Sequence, residues 1–64
     1  MHNYRIGDKI EVHSPKNKNE RFGIVNAGPY PEAGKDLWGI RFPDAGANVH
    51  GLLTPDEFKL RLDT

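Results

Sequence analysis

An all-β domain of five short strands, with one 3₁₀ turn before the last strand, is what this sequence predicts. Three observations point to it. Apolar residues recur with period two and nowhere sustain the 3.6-residue period of a helix. Stretches rich in Gly and Pro cut the alternating runs to strand length. Finally, Thr54-Pro55-Asp56-Glu57 carries a helix-start signal with room for one turn only, because Lys59-Leu60-Arg61-Leu62 alternates again straight after Phe58.

Each element follows in order. Lys9-Ile10-Glu11-Val12-His13 alternates after the turn pair Gly7-Asp8 and is the first strand, with Ile10 and Val12 facing inward. Ser14-Pro15 ends it, and Lys16-Asn17-Lys18-Asn19-Glu20 has no apolar residue, so it is a solvated loop. Arg21 to Asn26 forms the second strand, where Phe22 and Ile24 share a face and are expected in the core. Gly23 between them marks a bend or the close approach of another element. Residues 27–36 hold Gly28, Pro29, Pro31 and Gly34 and are predicted to be the longest loop. Alternation resumes from Leu37 to Phe42, placing Trp38, Ile40 and Phe42 on one side at the centre of the core. A turn at Pro43-Asp44-Ala45-Gly46 leads into the fourth strand, Val49 to Leu53. Thr54 then supplies a capping hydroxyl, Pro55 the first helical position and Glu57 the third, which is a capping box. Four strands, a single helical turn and a fifth strand make the SH3-like small-barrel pattern, in which curling the sheet protects strand edges.

Composition bounds the rest. A chain of 64 residues has room for one domain, residues 1–64, with one thin core. Cysteine is absent, which excludes a disulfide frame and a thiolate zinc site, so closure of the backbone must compensate for the small core. No apolar stretch approaches a membrane span or the core of a signal peptide, and a soluble, cytoplasmic protein is expected. Formal net charge is zero, whereas a domain dedicated to nucleic acid usually carries a strong basic excess.

Several families share parts of this pattern. Gly7 to Val12 followed by Phe22-Gly23-Ile24-Val25 resembles the opening of KOW and related translation-type barrels. Trp38 to Gly46, "WGIRFPDAG", resembles the Tudor pattern, but the aromatic that family uses in its methyl-lysine or methyl-arginine cage is Ala45 here. Gly7 to Val12, Ile40-Arg41-Phe42 and "EFKL" resemble the photosystem I reaction-centre subunit IV family, which implies a docking subunit rather than an enzyme. Length and the Gly-Asp opening are also similar to the type II dihydrofolate reductases, which would imply a small oligomeric enzyme. The reductase pore needs a Val-Gln-Ile-Tyr run, and this chain offers Val49-His50-Gly51-Leu52 instead.

Catalysis is not expected. The only serine is Ser14, and its neighbour His13 sits at a strand end where adjacent side chains point apart. His2, His13 and His50 are scattered, so neither a metal nor a cofactor is expected, and Asp56-Glu57 are explained by the start of the helical turn. Binding remains, through loops and exposed aromatics. Lys16, Lys18 and Arg21 make one loop locally basic, and Tyr30, stiffened between two prolines, is a typical interface anchor. With Trp38, provided its edge is exposed, these residues are the expected contact surface for a protein partner, the chain acting as adaptor, inhibitor or accessory subunit. The alternative is a nucleic-acid contact through Lys16, Lys18 and Arg21.

Overall fold

The computed structural model describes residues 4–61. His2 and Leu62, named above, lie outside the described residues. The strands are β1 (Lys9–Val12), β2 (Phe22–Glu32), β3 (Lys35–Arg41), β4 (His50–Leu53) and β5 (Phe58–Leu60). They form one antiparallel sheet in the order β4-β3-β2-β1-β5, so β4 and β5 are its edges. Two 3₁₀ turns complete it, the expected one at Pro55–Glu57 and a second at Lys18–Glu20, inside the segment expected to be plain loop.

Ile10, Val12, Val25, Trp38, Ile40, Phe42 and Phe58 are buried together, with Tyr4, Ala45, Val49 and Leu53 packed against them. The sheet is strongly curled. Three strand spacings separate β3 from β5, about 14 Å in a flat sheet, yet the Tyr4 ring lies 5.0 Å from both Trp38 on β3 and Phe58 on β5. Among the described residues no ladder joins β4 to β5.

Two expectations are corrected. Phe22 and Ile24 are not the core side of β2; Gly23 and Val25 are, and the two larger residues stand half-buried on the opposite face. The register sets this phase: Ile10, facing inward, sits opposite Gly23, while Lys9 and Glu11 on the outer face sit opposite Ile24 and Phe22. Gly23 is needed there because a Cβ would collide with the Ile40 side chain, 3.0 Å from Arg41 O and 3.1 Å from Phe42 Cδ1.

The second correction concerns residues 27–36. They are not a loop but the distal half of a long hairpin, since β2 runs on to Glu32 and pairs with β3 at Tyr30↔Leu37, Pro31↔Asp36 and Glu32↔Lys35. Irregular register between Val25 and Tyr30 accommodates Pro29, a residue that cannot donate to a ladder. Ala33 and Gly34, both at positive φ (52° and 79°), close the arm as a two-residue hairpin loop.

Burial raises the pKa of the Tyr4 hydroxyl above that of a free phenol. The native state therefore holds the Tyr4 proton more tightly than the unfolded chain does. Stability is then intact below about pH 10 and falls as pH climbs from there through the raised native pKa. Denaturant titrations between pH 8 and 11 are expected to show this fall in the wild type and a shallower one in Tyr4→Phe.

Candidate partner-binding site

A depression of about 500 Å³ lies where the end of β1, the β4 edge and the second 3₁₀ turn converge. Backbone geometry builds it. His13, just past β1, donates its N–H to Glu57 O at 3.0 Å, which ties the end of β1 to the turn. The turn is fixed in place by the capping box, with Thr54 N–H donating to Glu57 Oε1 at 2.8 Å. Thr54 Oγ1 also donates to Glu57 Oε1 at 3.0 Å and approaches Asp56 Oδ1. Both carboxylates are thereby held at the rim.

Val12, Phe42 and Leu53 give the groove an apolar floor. Gly51 leaves room above Phe42, whose Cε2 would stand 3.4 Å from a Cβ on that residue. Leu52 lines the same groove and is 58% exposed, a large apolar side chain left in water on an edge strand. Around it stand Lys16 and Glu20 from the β1–β2 loop, together with His13 and His50. His50 Nδ1 is 3.2 Å from Asn48 O. Among the described residues, no group of three or more His, Asp or Glu side chains is placed to hold a metal ion.

The residues expected at the contact surface are dispersed. Lys16 is on the groove rim, and Lys18 is exposed in the first 3₁₀ turn. Arg21 turns elsewhere: its Nε donates to Glu11 Oε2 at 2.9 Å, and its guanidinium lies 5.3 Å from the Phe22 ring centroid. Tyr30 is 47% exposed on the β2–β3 arm and lines none of the three depressions on the molecule that are described. Trp38 is 4% exposed, so the edge on which its contact role depended is not at the surface. Its ring packs edge-on against Tyr4, and its buried Nε1 has no acceptor among the described residues.

Leu52 escaped the sequence reading, although a signal was present. Leu52 and Leu53 are adjacent in a strand, so only one of them can face the core. Compared with protein-family models, with curated proteins and with solved structures, the chain has no match.

Proposed function

We propose that this chain is a non-catalytic SH3-like barrel that binds a protein partner in the groove between the β1–β2 loop, β4 and the second 3₁₀ turn, working as adaptor, inhibitor or accessory subunit. The architecture fits that pattern in its strand order and in the single helical turn between the last two strands. The observation that carries the reading is exposed Leu52 beside an apolar floor of Val12, Phe42 and Leu53, ringed by charged side chains. An apolar centre within a polar rim is the composition of a protein-recognition site. β4 is a sheet edge, and its outward backbone groups suit an added strand from the partner. Tyr30 is a separate anchor on the arm, outside the groove.

Capture from a lysate of the native host, with wild type and Leu52→Glu compared by quantitative mass spectrometry, tests this. Leu52 is exposed, so the variant keeps the fold. A protein enriched by the wild type is expected to fall about tenfold with the variant, the loss typical of an interface anchor. The same proteins captured equally by both chains would overturn the groove as the contact site.

A further inference from the structure

We infer that the outer face of β1, β2 and β5 is a second binding surface, one that takes single-stranded nucleic acid. It starts from the two apolar residues that face outward against expectation. Ile24 stands between Arg41 on β3 and Lys9 on β1, and the next strand position beyond Lys9 is Arg61, whose N–H donates to Lys9 O at 2.9 Å. The Arg61 guanidinium lies 4.6 Å from the Phe22 centroid, with that of Arg21 at 5.3 Å. Lys59 occupies the neighbouring row opposite Glu11.

Among the described residues, two carboxylates stand by this face, and one of them, Glu11, is already held by Arg21. Asp44 is the other, at the border of a shallow hollow of about 180 Å³ that Lys9, Phe22, Ile24 and Arg61 also line. In a chain with zero formal net charge, five of the nine Lys and Arg residues, Lys9, Arg21, Arg41, Lys59 and Arg61, thus stand on one side of the sheet. That is why the summed charge conceals the surface.

Cations alone would suit any polyanion. Phe22 narrows the choice, because aromatic rings and the guanidinium planes lying over them are platforms for unstacked bases, while flanking lysines and arginines meet phosphates. Arg41 and Lys9, two strands apart, stand roughly 10 Å from each other across Ile24, so a strand crossing the sheet meets charge on both sides of an apolar centre. The hollow shares no lining residue with the groove proposed for a protein partner, so the two surfaces can be occupied together.

The test is fluorescence anisotropy of a labelled oligothymidylate 20-mer with the full chain, across a salt series. Binding is expected at low salt, weakening with a log–log slope of about −0.7 per phosphate contacted. The double variant Lys9→Ala/Arg41→Ala is expected to flatten that slope, and Phe22→Leu to weaken binding about tenfold. Lys16→Ala/Lys18→Ala is expected to leave it unchanged. Thermal melts confirm that each variant is folded, and the double variant changes only surface charge should Phe22→Leu fail to fold. Absence of binding at low salt would overturn the inference, as would loss through the loop variant instead. A labelled polyglutamate bound as tightly as the oligonucleotide would overturn it too, by making an acidic protein segment the occupant.

Discussion

Phe58→Ala is expected to leave the chain largely unfolded at room temperature. Phe58 is 2% exposed and is the point where the capping turn hands over to β5. Its backbone is opposite Val12, and its ring packs 5.0 Å from Tyr4, which in turn meets Trp38. Truncating a buried phenylalanine costs about 3–5 kcal/mol, whereas the single core of a domain this small, without disulfides, rarely supplies more than about 3–5 kcal/mol. The substitution therefore removes most or all of the margin. Urea titration followed by circular dichroism checks it. A midpoint close to that of the wild type would mean that Phe58 does not tie β5 to β3 through Tyr4.

Gly23→Ala is expected to be the next most damaging change, although it adds only one methyl group. That methyl would overlap Ile40 and press on Arg41 O and Phe42 Cδ1, which stand 3.0 Å and 3.1 Å from it. Ile40 is fully buried and belongs to the central strand β3, so it has little freedom to retreat. Overpacking of this kind costs about 1–3 kcal/mol, and each kcal/mol lowers the melting temperature by about 4–8 °C in a small domain. A drop of roughly 4–24 °C is expected. Gly39→Ala is the control, because its methyl would meet Ala27 Cβ at 3.3 Å, a contact that a small shift relieves. Equal drops for the two variants would mean that Gly23 does not face the core.

Much of this architecture is legible in the sequence. Ile10 and Val12 alternate with charged residues, and so face inward without ambiguity. Trp38, Ile40 and Phe42 do the same on the third strand, and the capping box at Thr54 to Glu57 is formed as its residues predict. β2 is different because Phe22-Gly23-Ile24-Val25 is apolar on both faces. Side-chain size alone then favours Phe22 and Ile24, while the space actually available between Ile10 and Ile40 fits only glycine. No local pattern contains that tertiary fact.

The hairpin arm was hidden for a related reason. Pro29 and Pro31 are loop signals when ladder donors are required at every position, but a bulged strand does not require them. At the candidate site, Lys16 is legible from its solvated loop, whereas the Leu52-Leu53 pair says that one leucine turns away from the core but not that β4 is an open edge beside a groove. The ion pair of Arg21 with Glu11 joins positions that only the register of β1 and β2 brings together, and the sequence does not state that register.

The phase of β2 decides which residues reach the surface, and one pair of variants reads it directly. Thermal melts of Ile24→Asp and Val25→Asp compare adjacent residues that differ in the face they occupy. Ile24→Asp, half-buried between Lys9 and Arg41, is expected to keep a cooperative transition lowered by about 4–8 °C, for the loss of about 1 kcal/mol of partial apolar burial. Val25→Asp places a carboxylate at a fully buried position without a partner and is expected to show no cooperative transition. The reverse pattern, with Val25→Asp folded and Ile24→Asp unfolded, would return Phe22 and Ile24 to the core and contradict the outer face as described.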